Sequence, residues 1–400
     1  RYGPEFWDCL IVYRPLEGIR VVAIEQAVAA PLCTRHMADL GAEVIKIERP
    51  DGGDFSRAYD EAVLGQSSHF VWLNRGKRSV VLDLKSPDGI RSLRALLETA
   101  DVLVSNLAPG ALERIIPDRV MEELPRLVRC HISGYGTSGP YAGRKAFDLL
   151  VQGEAGVIAA TGTPEQNARP GVSLADLAGG TYALAAVNAA LLERARTGRG
   201  QRIDIAMFDV LLEWMSPLLL ATRYGGTTPV PAGRAHASIT PYGPYRSADG
   251  DEVQIAVQNE GQWQRLCRGV LQRNDLAERP DLSTNAARLA RRMEVEGIVG
   301  EAIGALPTGA LLERLDQADI PYGALNSVAS VLTHPQAIAR ERWQDAALAD
   351  GSLVEVIRSP FSVNPRDADA PPAVIPALGY DTREVLEQLH PRNPSSRGKS

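Results

Sequence analysis

The chain has 400 residues, 44% of them hydrophobic, enough for a full core and two or three domains of ordinary size. Its 43 Lys and Arg against 49 Asp and Glu give a formal net charge of -6, so it lacks the basic field that holds a polyphosphate backbone, and no nucleic acid is expected as a partner. The four cysteines, Cys9, Cys33, Cys130 and Cys267, form no C-x-x-C pair, no apolar window of about 18 residues occurs, and the N-terminus lacks a signal pattern; together these predict a cytoplasmic protein with ordinary thiols and no membrane partner.

From Ile19 the pattern reads strand, helix, strand: a short apolar run at 21–24, a helical stretch to about Leu40, and an apolar run at 43–47. A strand at 79–84 leads into Ser86-Pro87, a cap and first-turn pair, and Ile90, Leu93, Leu96 and Leu97 supply the apolar stripe of the helix that follows. Strands are expected at 101–104 and 127–132, the latter ending in a Gly- and Pro-rich loop over 133–140 of the kind that binds ligands in α/β sheets. A long helix over 177–196, stopped at Gly198 and Gly200, and a strand over 202–206 complete an alternation that predicts a mostly parallel sheet.

At 225–231, Gly225, Gly226, Pro229 and Pro231 mark a linker. Beyond it, 245–248 and 252–257 flank Asp249-Gly250 as a hairpin, with helices around Trp263 and over 286–302. The tail is Pro-rich from about Pro371 and recovers a helix at 381–389 before a polar end.

The first strand-helix-strand unit imitates a dinucleotide-binding fold, but the turn from Glu25 to Pro31 holds no glycine, so a pyrophosphate cannot approach its backbone closely and NAD and FAD are excluded. H-E-x-x-H, dense His/Cys clusters, G-x-S-x-G and Walker loops are all missing, which leaves no metal centre, serine hydrolase or P-loop chemistry to expect. What remains is Asp176, in Val172-Ser173-Leu174-Ala175-Asp176-Leu177-Ala178-Gly179-Gly180, where an extended run meets a small-residue helix. On the residues alone it reads either as a helix N-cap or as a carboxylate held ionised by the helix dipole beside glycines that leave room for a substrate.

Several segments in fixed order resemble the class III CoA-transferases, the family of formyl-CoA:oxalate and carnitine CoA-transferases that also contains the α-methylacyl-CoA racemases. They are Leu16-Glu17-Gly18-Ile19-Arg20-Val21, Leu40-Gly41-Ala42-Glu43-Val44-Ile45-Lys46-Ile47-Glu48-Arg49-Pro50, Asn74-Arg75-Gly76-Lys77-Arg78-Ser79, Asn106-Leu107-Ala108-Pro109-Gly110, Gly134-Tyr135-Gly136, the Asp176 segment, Thr197-Gly198-Arg199-Gly200-Gln201 and Leu378-Gly379-Tyr380-Asp381-Thr382. The resemblance implies an α/β fold in which a large Rossmann-like parallel-sheet domain, 1–224 with 331–400, accompanies a smaller α+β domain, 225–330, in an intertwined homodimer. Residues 1–13 lie outside the likeness.

It further implies Asp176 as the catalytic nucleophile, and contacts to coenzyme A from Gln26, Ala27, Val28, Ala29, Arg49, Lys77, Asn106, Leu107, Arg114 and Lys145. Coenzyme A and its acyl thioesters then enter as substrates, with a free carboxylic acid as the other partner and no prosthetic group or metal. Two departures narrow the reading. Phe147 stands where the racemases carry a histidine, and Phe cannot carry a proton. Arg234-Ala235-His236 stands in place of the glycine run of formyl-CoA transferases, and the Asp176 segment looks most like members handling C4 and C5 dicarboxylates such as succinate, itaconate, mesaconate and citramalate. Arg234 and then His236 are the expected partners of an acceptor's free carboxylate, and backbone N–H groups at Gly179 and Gly180 the expected oxyanion donors. A racemase or epimerase, and a non-catalytic acyl-CoA-binding protein, are the alternatives.

Overall fold

A computed structural model describes residues 14–226, 228, 230–361 and 372–389. The unassigned stretch 1–13 with Cys9, linker residues Thr227 and Pro229, Pro371 and the polar end after Leu389 lie outside the described residues. The chain forms two compact units, one from Arg1–Gly156, Pro170–Ser216 and Ile338–Ser400, the other from Val157–Arg169 and Pro217–Ala337.

The first unit is built on six parallel strands, β1 (Arg20–Ile24), β2 (Glu43–Glu48), β3 (Lys77–Val81), β4 (Val102–Ser105), β5 (Val128–Ser133) and β6 (Arg202–Ala206), in the order β3-β2-β1-β4-β5-β6. Central β1 and β4 are buried on both faces and read as continuous apolar runs, whereas edge strand β6 has exposed Arg202 and Asp204 between half-buried isoleucines. Strand order reverses between β1 and β4, which opens a crevice at their carboxyl ends.

Its helices are α1 (Ala29–Asp39), α2 (Ser68–Asn74), α3 (Pro87–Glu98), α4 (Ala111–Ile115), α5 (Asp118–Glu122), α6 (Asp148–Glu154), α7 (Val157–Ala160, counted with the second unit), α8 (Leu174–Thr197) and α9 (Met207–Trp214). Ser86 caps α3 by accepting the Gly89 N–H at 3.0 Å, and Pro87 occupies the first turn. Gly198 ends α8 at φ 72°, its N–H returning to the Arg194 carbonyl, a conformation that suits glycine. The 24-residue α8 is long and apolar enough to span a membrane, yet its small residues pack against α1. A Cβ on Gly180 would stand 2.5 Å from the carbonyl oxygen of Ala29, so a glycine here is what lets the two helices meet.

The second unit contains the antiparallel strands β7 (Tyr242–Arg246), β8 (Glu252–Ala256) and β9 (Tyr322–Ala324) over a core around buried Trp263, Val299, Leu311 and Leu315. The expected tight hairpin turn at Asp249-Gly250 is a five-residue connection, 247–251, in which Ser247 N–H donates to the Asp251 carbonyl. The helix expected over 286–302 breaks at Arg291 into Asn285–Ala290 and Arg292–Gly304. Back in the first unit, β10 (Trp343–Ala347), β11 (Leu353–Ile357) and β12 (Ala373–Val374) form a small sheet sharing a core with Phe70 and Val71 of α2.

Candidate active site

At the carboxyl end of β1 the chain turns through Glu25, Gln26 and Ala27 into α1, and no glycine helps it. Ala27 adopts φ 60°, a left-handed conformation that costs an alanine about 1–2 kcal/mol. Its N–H donates to Asp54 Oδ1 at 3.1 Å. The neighbouring Gln26 is clamped to the end of β4: its N–H donates to Asn106 Oδ1 at 2.9 Å, and Asn106 Nδ2 donates to the Gln26 carbonyl at 2.8 Å. Gln26, Ala27 and Asn106 thus meet at the reversal point of the sheet.

Below this turn lies a buried set of three acids and three bases. Lys46 Nζ lies 3.2 Å from Glu25 and 2.8 Å from Asp54, Lys77 Nζ lies 2.7 Å from Glu25, and Arg57 grips Glu48 at 2.7 and 2.8 Å. Burial opposes the charge on Glu25, but the two lysines prevail and hold its carboxyl below the usual range. Asp54 joins this set to the site: it pairs with Lys46, caps the 3-10 turn Phe55–Ala58 and accepts from Ala27.

Asp176 is the third residue of α8, not its cap, because the cap comes from elsewhere in the chain. Asp148, buried at the start of α6, accepts the N–H of Ala175 at 2.8 Å and of Asp176 at 3.3 Å through one oxygen, while Gln152 Nε2 donates to the other at 2.6 Å. With those donors satisfied, the Asp176 carboxylate accepts no hydrogen bond among the described residues. Burial and, after it, the negative charge of Asp148 push its pKa from 3.8 up to about 7. The part Asp148 plays here rests on a contact spanning 27 residues that no local pattern announces.

The other expected site residues fall into groups. Val28 and Ala29 are buried where α1 begins, and Leu107 packs beside the core under α4. Arg49 is half-exposed with two donors on the Gly53 carbonyl, while Arg114 and Lys145 are exposed and make no ion pair among the described residues. Lys77, expected among the contacts to coenzyme A, has a buried Nζ that donates to Glu25, the Pro31 carbonyl and Asn74, which uses all three N–H groups. Gly179 and Gly180 differ from the role expected of them, since they lie in the second turn of α8 with their N–H groups inside the helical ladder.

In the second unit, Arg234 places its planar fork on Glu252 at 2.6 and 2.8 Å, so a guest carboxylate would compete with that partner. His236 stacks on Tyr242 with ring centroids 5.0 Å apart and accepts the Ser238 N–H at Nδ1, which requires that nitrogen to carry no proton. Phe147 is exposed at the N-cap of α6, beside Asp148. No group of three or more His, Cys, Asp or Glu suited to a metal exists among the described residues.

Comparison with known proteins agrees with this architecture. Residues 16–382 match the sequence profile of CoA-transferase family III. A succinate-glutarate CoA-transferase of Agrobacterium fabrum is 36% identical, over 94% of this chain and 96% of that one. The human succinyl-CoA:glutarate CoA-transferase is 32% identical over 81% of this chain and 75% of its own length, and the alpha subunit of a succinyl-CoA-L-malate CoA-transferase of Chloroflexus aurantiacus is 30% identical over 94% and 89%. Among solved structures, a CAIB/BAIF family protein from Brucella suis superposes with a TM-score of 0.79 at 32% identity, covering 94% of this chain and all of that one. A six-stranded parallel sheet whose reversal point gathers Gln26, Ala27 and Asn106, and a profile match over nearly the whole chain, place this protein in CoA-transferase family III and make it an enzyme that transfers coenzyme A.

Proposed function

We propose that the enzyme moves coenzyme A between C4 and C5 dicarboxylic acids through a covalent thioester on Asp176. The observation that carries this reading is the state of the Asp176 carboxylate: uncommitted to any hydrogen bond among the described residues, at the first turn of α8, in surroundings that penalise its charge. An environment that favours the protonated acid over the anion equally favours the acylated side chain, which is also neutral, so the repulsion from Asp148 is relieved as the intermediate forms. The substrate class is supported by the relatives named for succinate, glutarate and malate.

Asp176 attacks the thioester carbonyl of the donor, the C–S bond breaks, and a mixed anhydride and coenzyme A thiolate result. The thiolate then attacks the Asp176 carbonyl of the anhydride, expels the donor carboxylate and leaves the aspartyl-CoA thioester. An acceptor carboxylate repeats the sequence in reverse order, taking the coenzyme A and restoring the Asp176 anion. Gln26 to Ala29 and Asn106-Leu107 line the reversal point for the thioester arm, with Arg49, Arg114 and Lys145 as the cations available to its phosphates. Racemisation lacks a second proton carrier at Phe147.

Incubation with succinyl-CoA alone should load Asp176 with a coenzyme A-sized adduct that hydroxylamine converts to a hydroxamate, and adding glutarate, itaconate, mesaconate or citramalate should discharge it to the new thioester. Absence of the adduct with transfer still occurring would point to direct exchange in a ternary complex. No transfer to any dicarboxylate would defeat the substrate assignment. The dimer implied by the family is part of the same proposal and is read by light scattering.

A further inference from the structure

A dicarboxylic acceptor brings two anions to a site already rich in acid, and the one not being activated must find donors. Asp148 stands against Asp176, while the buried Lys46 and Lys77 are spent on Glu25 and Asp54. Burying a further carboxylate there without partners would cost several kcal/mol.

Two side chains on the Asp176 unit keep donors in reserve. Tyr59 follows the 3-10 turn that Asp54 caps and that receives Gln26, whose Oε1 accepts the Phe55 N–H at 3.2 Å. Its ring is half-exposed, and its hydroxyl makes no hydrogen bond among the described residues. The phenol is held above its ordinary value by partial burial and by the charges of Asp54 and Asp176, which puts it in the electrostatic reach of the nucleophile.

His69 meets the edge of Tyr59 with ring centroids 5.3 Å apart, and Trp72, one helical turn further along α2, meets His69 at 6.4 Å. Trp72 and Leu177, the residue after Asp176, pack on one apolar cluster with Val28 and Leu32, so this face of α2 adjoins the first turn of α8. The Nδ1 edge of the imidazole faces Ser68 Oγ at 3.5 Å and, beyond it, Asp60. The Asp60 carboxylate, held well below the usual range by the N–H groups of Ser68 and Ala62, lies 3.7 Å from His69 Nδ1. Nε2 on the opposite edge has no partner among the described residues, and the imidazolium form carries an N–H at both edges.

We propose that Tyr59 and His69 form the subsite for the free carboxylate of a dicarboxylic acceptor, the Tyr59 hydroxyl and His69 Nε2 each donating one hydrogen bond to it while the other end faces Asp176. Phe55 and Trp72 then flank the methylene chain between the two carboxylates. The proposal rests on the transferase reading above and specifies where its substrate preference resides.

The test compares glutarate with its monomethyl ester, which keeps the reacting carboxylate and nearly the same length but removes the second charge, using one fixed acyl-CoA donor. Wild type should favour glutarate in kcat/KM, and His69→Leu and, separately, Tyr59→Phe should each reduce that preference at least fivefold, through KM for the acceptor. Formation of the Asp176 adduct from donor serves as the measure of an intact centre, and Tyr59→Phe stands in should His69→Leu fail to fold. A preference unchanged in both variants, or equal losses on both acceptors, overturns the subsite. A wild type that uses both acceptors equally overturns it as well, whereas one that uses neither defeats the proposed function itself.

Discussion

Replacing Asp176 by Asn removes a charge that the fold tolerates only at a cost, so it should stabilise the protein as it destroys activity. A carboxyl titrating at about 7 in the native state and 3.8 in the unfolded chain differs by about 3 units, or about 4 kcal/mol at 1.36 kcal/mol per unit. The sign follows from proton counting. Between the two values the native state binds more protons than the unfolded one, so stability falls as pH rises, and the penalty is complete above about 7. Asn carries no such penalty. Partial exposure of Asp176 trims the gain, and the gap between variant and wild type should widen by roughly 1–2 kcal/mol from pH 5 to pH 8. Urea melts of both proteins at the two pH values measure it, with midpoints compared at a common slope. Turnover should fall at least about 10³-fold, since an amide is a poor acyl acceptor, and wild-type kcat/KM should rise with pH through about 7 as the nucleophile ionises. A gap that stays constant with pH would refute the electrostatic argument, and a folded variant keeping more than a tenth of wild-type turnover would remove Asp176 from the nucleophile's role.

Asp148→Asn removes the like charge beside Asp176 but keeps an acceptor for the α8 N–H groups, so the pH midpoint of kcat/KM should move to lower pH; an unmoved midpoint would leave burial as the whole cause. Lys77→Met leaves Glu25 to share Lys46 with Asp54 in the interior and should destabilise the protein by up to about 3–5 kcal/mol in denaturant melts. A loss confined to KM for the acyl-CoA, with stability intact, would instead make Lys77 a ligand contact. Gly180→Ala should destabilise by about 1–3 kcal/mol because its Cβ meets backbone at Ala29, whereas Gly179→Ala meets side chains, Met207 at 3.1 Å and Ile132 at 3.7 Å, and should be milder; equal effects on thermal melts would contradict the packing argument.

The parts of this fold legible in the sequence are those whose cause is local. Strand β6 runs over the expected residues 202–206, Ser86 and Pro87 open α3, and Gly198 closes α8, because alternation, capping and left-handed glycine all act within a few residues. The start of α8 was displaced by one turn, from 177 to Leu174, since its cap is supplied by Asp148 from another helix. Lys77 shows the same limit: a lysine opening a strand gives no sign that it turns inward to an acid 52 residues away. Short α2 and α6 carry no long periodic stripe for a sequence to show, yet they bring His69 and Asp148 to the site.

The left-handed alanine after β1 bears on how strongly a nucleotide-bearing substrate is held. Where dinucleotide folds offer a pyrophosphate a ring of backbone N–H groups, this turn has committed those of Gln26 and Ala27 to Asn106 and Asp54. On the function proposed above, phosphate recognition falls to the exposed cations Arg49, Arg114 and Lys145, whose attraction works through solvent. Mobile ions weaken such attraction over about 10 Å at 0.1 M salt, while the interior pairs that fix the turn are shielded from them. Ionic strength therefore becomes a dial on capture of the thioester alone: KM for the acyl-CoA should climb with added salt, and the rate at saturation should hold.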